Sequence, residues 1–347
     1  MRMKHRPKEP INFSCPVNLA AIDINPEYLV ADIKIENEDG LAEARHLVFA
    51  TPMQLNLFKK VQTIYLDGTF KAVNKKLFKQ LFSIHAFVRC EDNVKQIPLI
   101  NVMMSRRSRK DYTAVFTYLK THFLSENSTL DSAVLDFEVA VWLSLKECFP
   151  GIELRGCGFH WSQAIYRQAQ ELHLGPAYLK GGSITDTIKK LLALPFLPHR
   201  LMEKIFKEMM AEASAPGQDD RIVKLLFYVN RYWFSSPVWS PKNFCLYQRL
   251  VRTNNDLEGY HSRLNKKLPK HNPAFYVLIP ILYAEAQHAE VTCSLISNHH
   301  VKIHRCKKTR DNQARLCLLW DQLEDHSITA EYFLSEAVKF VSKPSKS

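Results

Sequence analysis

Apolar positions along this chain recur with two periods, and the change from one to the other divides it. The first half alternates. "YLVADIKIE" (28–36) and "RHLVFAT" (45–51) read as two strands around the turn signal Asp39-Gly40. "PMQLNLFKKV" follows as a short helix with Pro52 near its start. "TIYLD" (63–67) is a third strand. "FKQLFSIHAFVRC" (78–90) and "VKQIPLINVMM" (94–104) are two longer ones, around the polar turn Glu91-Asp92-Asn93. In "SRKDYTAVFTYLKTHFL" (108–124) the period changes. Tyr112, Val115, Phe116, Leu119 and Phe123 fall at helical spacing, with Ser108 as the candidate N-cap. "SAVLDF" (132–137) is a short strand, "VAVWLSLKECF" (139–149) a helix stopped by Pro150-Gly151, "IELRGC" (152–157) a strand, and "HWSQAIYRQAQEL" (160–172) a helix.

From the third strand onward the order is therefore β-β-β-α-β-α-β-α, an α/β chain. Gly181 to about 235 reads as helices only, each with an amphipathic stripe. "VRTNNDLEGYHSRLNKKL" (251–268) is a further helix with Thr253 and Asn254 as caps. The segment 272–291 is helical with a kink expected at Pro280. Five segments result: a 1–60 extension with a hairpin and a short helix, a core part at 61–175, a helical insertion at 176–250, further core helices at 251–295, and a basic peripheral tail at 296–347.

Charge changes this picture. Against 35 Asp and Glu the 347-residue chain carries 47 Lys and Arg, a formal net charge of +12. A globular chain this basic meets a polyanion or an acidic surface, or simply carries a solvated basic face. Residues 251–310 hold ten Lys/Arg and four Asp/Glu, so half of the excess sits there. With only 10 glycines and neither a GxGxxG nor a P-loop pattern, the chain offers no Gly-rich phosphate cradle. The eight cysteines are scattered with no CxxC pair and read as reduced thiols of the cytosol or nucleus. No signal peptide, membrane-length apolar run or solenoid repeat is apparent.

Three acids stand out: Asp67 and Asp136, each ending a short strand, and Glu258 in the first turns of a helix after the insertion. A carboxylate at the lip of a buried strand is costly unless its charge is used. Converging carboxylates repel one another, and hard divalent cations with oxygen preference relieve this. Taken singly, each Asp also fits a helix cap or a turn.

The surrounding residues form four short motifs: "DGTF" (67–70), "LDFEVAV" (135–141), "GCGFHWSQAIYR" (156–167) and "TNNDLEGYHSRLN" (253–265). In this order they resemble the MULE (Mutator-like element) transposases, over roughly residues 45–290. The resemblance implies an RNase H-like core with a mixed five-stranded sheet and an all-helical insertion before the final catalytic helix. It implies a DDE triad of Asp67, Asp136 and Glu258, holding two Mg²⁺ or Mn²⁺ ions for DNA cleavage and strand transfer. Glu258 is chosen over Asp256 because the family pattern sets the acid three residues before a histidine, here His261. Glu138 also matches and is expected behind the metal ligands. Cys157 and His160 match a CxxH motif. Its readings are a contact near the catalytic edge, a buried Cys with a satisfied His, or zinc completed by Cys148 and His173.

DNA-facing roles are expected for His160, His261, Arg263, Lys266, Lys267 and Lys270, and for Arg106 and Arg107 in "MMSRRSRKDY" (103–112). "HRCKKTR" (304–310) is a second basic patch. The implied partners are terminal inverted repeats and target DNA, bound by a homo-oligomer in the nucleus. Proteins of this kind often carry an N-terminal zinc-binding recognition module such as a FLYWCH finger. His5 and Cys15 are too few for one, so the chain is expected to be a fragment or to recognise DNA elsewhere. Two functions follow as expectations: a metal-dependent transposase, or a domesticated or truncated derivative that binds DNA without catalysis. An RNA–DNA hybrid nuclease of the same fold is disfavoured by the insertion and the CxxH motif.

Overall fold

A computed structural model of the chain describes residues 7–90, 93–249, 255–269, 271–297 and 307–341. In chain order the elements are β1 (Leu29–Glu36), β2 (Ala42–Phe49), α1 (Pro52–Phe58), β3 (Thr63–Thr69), β4 (Gln80–Cys90), β5 (Asn93–Met104), α2 (Arg109–Phe123), β6 (Ser132–Leu135), α3 (Val139–Cys148), β7 (Glu153–Gly156) and α4 (Gly158–Glu171). Then come α5 (Gly175–Lys180), α6 (Ser183–Ala193), α7 (His199–Ala213), α8 (Asp220–Val229), α9 (Pro241–Phe244), α10 (Asn255–Lys267), α11 (Phe275–Ser297), α12 (Lys307–Glu324) and α13 (Ala330–Ala337). These elements form two compact units: Met1–Leu154 with Asn255–Ile303, and Arg155–Asn254 with His304–Ser347.

The first unit is built on a mixed sheet of seven strands in the order β1-β2-β5-β4-β3-β6-β7. This corrects the five-stranded expectation. The N-terminal hairpin is not an appendage, because β2 pairs antiparallel with β5 from His46↔Met104 to Phe49↔Asn101. The reason lies in β2 itself. Leu47, Val48 and Phe49 are consecutive and fully buried, so both faces of the strand are covered, as befits an interior position. β3 and β6 run parallel, whereas β3–β4, β4–β5 and β1–β2 are antiparallel.

Alternation along β4 assigns the two faces. Phe82 packs edge-on against Tyr112 of α2, and Gln80 donates to the same tyrosine. Ser83 and His85 point the opposite way and meet His261 and Tyr260 of α10. The α10 side closes over a core of Leu47, Phe49, Leu81, Met103, Leu264, Phe275 and Ile279.

Helix starts follow local chemistry. α1 begins with a capping box between Thr51 and Gln54 with Pro52 in its first turn, and α2 with one between Ser108 and Asp111. α11 is one helix from Phe275 to Ser297. Pro280 lies inside it and lacks only the N–H that would reach back to Tyr276. The Thr253 and Asn254 caps expected for α10 lie outside the described residues.

The second unit is helical. Trp161 of α4 stacks on Phe244 at 4.9 Å and meets Trp233 edge-on at 4.7 Å. α8 passes into a single π turn, Asn230–Phe234. The segment expected as a peripheral tail carries α12 and α13. Leu316, Trp320 and Leu323 fall at helical spacing and are buried, as are Phe333 and Leu334. Trp320 donates its indole N–H to the Phe196 carbonyl at 2.9 Å.

Candidate active site

Asp67 is the fifth residue of β3, after the buried run Ile64-Tyr65-Leu66. The parallel register pairs Ile64 with Ala133 and Tyr65 with Val134. The paired ladder ends there; Asp67 lies two residues further along β3, and Asp136 is the first residue past β6, so both acids stand at the C-terminal end of this parallel pair. Across the other edge of β3 the register pairs Asp67 with Ser83, and Ser83 pairs with Asn101. One rung across β3, β4 and β5 thus reads Asp67, Ser83, Asn101.

α10 lies over this rung. The Asp67 carboxylate accepts the Gly68 N–H at 2.8 Å and faces His261 Nδ1 at 3.1 Å. A carboxylate can only accept, so Nδ1 carries the proton of that bond. His261 Nε2 lies 3.2 Å from Ser83 Oγ, Ser83 donates to Asn101 Oδ1 at 2.8 Å, and Asn101 Nδ2 donates to Tyr260 Oη at 3.3 Å. All five side chains of this relay are buried. Burial pushes the Tyr260 phenol far above its usual range, so it stays a neutral partner. His85 lies under the Tyr260 ring, and burial holds it well below the usual histidine range.

His261 is therefore not a DNA-facing residue. It is buried with both ring nitrogens engaged, and it fixes the orientation of Asp67. Glu258 stands three residues earlier and shares that side of α10. It is half-buried, while Asp256, the alternative acid, is exposed.

On the flank of Asp136, Glu138 precedes the first residue of α3. Its backbone N–H donates to Asp136 Oδ1 at 3.3 Å, and its carboxylate accepts from Tyr112 at 3.1 Å. Burial first, and then the charge of Asp136, raise the Glu138 carboxyl, with Arg107 pulling it back. Arg107 is held 4.7 Å over the Phe70 ring, so a guanidinium stands beside these acids. Arg106, its neighbour in sequence, pairs with Glu43 of β2 instead. Gly68 fits tightly here. A Cβ on it would meet Gln80 Oε1 at 2.6 Å, and Gln80 is tethered through its amide to Tyr112.

The basic residues of α10 divide. Arg263 and Lys267 both reach Glu285 of α11, which is 4% exposed. Lys266 is exposed, and Lys270 lies outside the described residues, as do residues 304–306 of the second basic patch. In the second unit Cys157 is buried and caps α4, and His160 follows at the spacing that shares its helix face.

Residues 63–164 match the MULE transposase domain. No curated protein matches the chain. The MULE match runs from the first residue of β3 into α4 and takes in Asp67, Asp136, Glu138, Arg106, Arg107, Cys157 and His160. Glu258 and His261 lie beyond it. The match supports a transposase-related function with DNA as partner. Among the described residues no helix is long and apolar enough to cross a membrane.

Sequence reasoning missed Ser83, Asn101, Tyr260 and Glu285. Ser83 and Asn101 sit inside apolar strands, at positions where a strand buried on both faces would carry aliphatic residues. A polar residue on one rung of two neighbouring strands was the available signal.

Proposed function

We propose that this chain is a DDE-type transposase core of RNase H-like architecture, which cleaves DNA at element ends and joins the freed 3′ hydroxyl to target DNA. The observation that supports the reading is that Asp67 and Asp136 stand at the same end of the parallel β3–β6 pair while His261, three residues after Glu258, bonds Asp67. Asp67, Asp136 and Glu258 would hold two Mg²⁺ or Mn²⁺ ions.

The donor set fits such ions. It is made of hard carboxylate oxygens, and beside it Glu138 is a further acid whose carboxyl is raised by burial first and by the charge of Asp136 second. When bound, the ions activate the attacking oxygen and stabilise the leaving one. The chain's own residues do the rest. The Gly68 N–H and His261 hold Asp67 in one orientation. Tyr112 and Gln80 hold Glu138 beside Asp136. Arg107, fixed on Phe70, meets a phosphate at the same edge. Pairing of two DNA ends calls for at least a dimer, and the substrate calls for a nuclear location.

The test is cleavage of DNA carrying the terminal repeats of the source element. Nicking that requires Mg²⁺ or Mn²⁺ and disappears in Glu258→Gln supports the reading. Binding without nicking, unchanged in Glu258→Gln, points to a domesticated DNA-binding derivative.

A further inference from the structure

The helical second unit exposes an aromatic and cationic surface that the carboxylate edge does not use. Along α8, Lys224, Phe227 and Tyr228 follow at i, i+3 and i+4 and share one stripe, and Arg231 follows in the π turn at the end of the helix. The π turn after α8 then sorts two neighbours in opposite directions. Trp233 goes into the aromatic core, while Tyr232 is 51% exposed. Phe227 is 57% exposed, a large aromatic ring turned to water. Single π turns concentrate at functional sites because they re-aim side chains in this way.

The rings are arranged as a platform. Tyr228 and Tyr232 have centroids 5.0 Å apart, and the Arg231 guanidinium lies 5.5 Å from the centre of the Tyr232 ring. Trp239 braces the turn by donating its indole N–H to the Tyr232 carbonyl at 3.2 Å. Arg167 of α4 stands beside the Tyr228 hydroxyl, with Glu171 as the acid near it. Exposed rings set among arginines and a lysine match unpaired bases joined by phosphates. Each base supplies a π face and each phosphate a charge. Aromatic rings and arginines also suit a self-association patch, so the test includes that outcome.

We propose that the surface formed by Phe227, Tyr228, Arg231 and Tyr232 binds unpaired bases of single-stranded DNA. The choice of DNA over RNA rests on the transposase reading above.

The test uses the full chain and fluorescence anisotropy with four probes: oligo-dT, oligo-U, an abasic strand of the same length as the oligo-dT, and a duplex. Oligo-dT should bind about tenfold tighter than the abasic strand, the stacking of roughly one base. Phe227→Ala and Tyr232→Ala should each remove most of that difference and leave duplex affinity unchanged. Both positions are exposed, and circular dichroism checks that the variants fold.

Equal binding of oligo-dT and the abasic strand overturns the proposal, and so do variants that leave oligo-dT affinity intact. A Tyr232→Ala protein that changes from dimer to monomer in sedimentation overturns it in favour of self-association. Tighter binding of oligo-U overturns the assignment to DNA. Duplex binding retained in any of these cases leaves the transposase reading standing, whereas failure to bind any of the probes removes both.

Discussion

Two buried carboxylates lie against α10, and the helix treats them differently. Glu285 of α11 receives the Arg263 guanidinium at 3.3 Å and the Lys267 ammonium at 2.5 Å. Two full cations one helical turn apart neutralise it, and the result ties α10 to α11. Asp67 receives one backbone N–H and one histidine, and another acid, Asp136, follows the end of the neighbouring parallel strand. An acid that serves only the fold is neutralised where it stands. Under the proposed function, an acid grouped with others and met by donors that orient it is arranged for a cation. The contrast also reassigns "HSRLNKK", which reads in sequence as one DNA-facing stripe. In the fold His261 turns to Asp67, Arg263 and Lys267 turn to Glu285, and Lys266 is exposed.

The largest effect expected from this contrast is at Asp67. Asp67→Asn keeps the shape and removes the charge. Metal-dependent cleavage should fall to background while the thermal midpoint stays within a few degrees of the parent. Cleavage that survives the change would remove Asp67 from the chemistry and make it a second Glu285. The opposite probe is Arg263→Ala with Lys267→Ala, which strands the Glu285 charge in the interior. Stability should drop by about 3 kcal/mol, read from the urea midpoint. Adding Glu285→Gln should recover part of the loss. If stability holds and duplex affinity falls instead, the two cations are phosphate contacts and the comparison fails.

Much of the first unit was legible because its signals are local. Strand alternation, the Ser108 cap and the Pro52 start are all written within a few residues of their effect. Asp67 and Asp136 were legible because an acid that ends a short apolar strand stands out against its neighbours. Three things were not legible, for a common reason. The seventh strand depends on β2 finding β5 more than fifty residues on in sequence, and periodicity carries no register. The relay through Ser83 and Asn101 exists only once β4 and β5 are paired and α10 is laid over them. Arg106 and Arg107 are adjacent and chemically identical. Only the positions of Glu43 and Phe70 decide that one braces the hairpin and the other faces the acids.

The finest test addresses the donor that distinguishes Asp67 from Glu285. His261 sits between Asp67 and Ser83, so its removal leaves the Asp67 carboxylate free to rotate and a buried serine with one partner fewer. His261→Ala should weaken Mn²⁺ binding by roughly 10–100-fold, the usual consequence of losing an outer-shell partner of a ligand, as read by calorimetry on the protein without DNA. His261→Asn places an amide N–H near the position of Nδ1 and should restore part of that affinity. A simple packing role predicts another outcome: both variants would lose stability to a similar degree, and the asparagine would bring no recovery of Mn²⁺ affinity. Recovery by asparagine alone is therefore the result that separates a residue orienting Asp67 from one that fills space beneath α10.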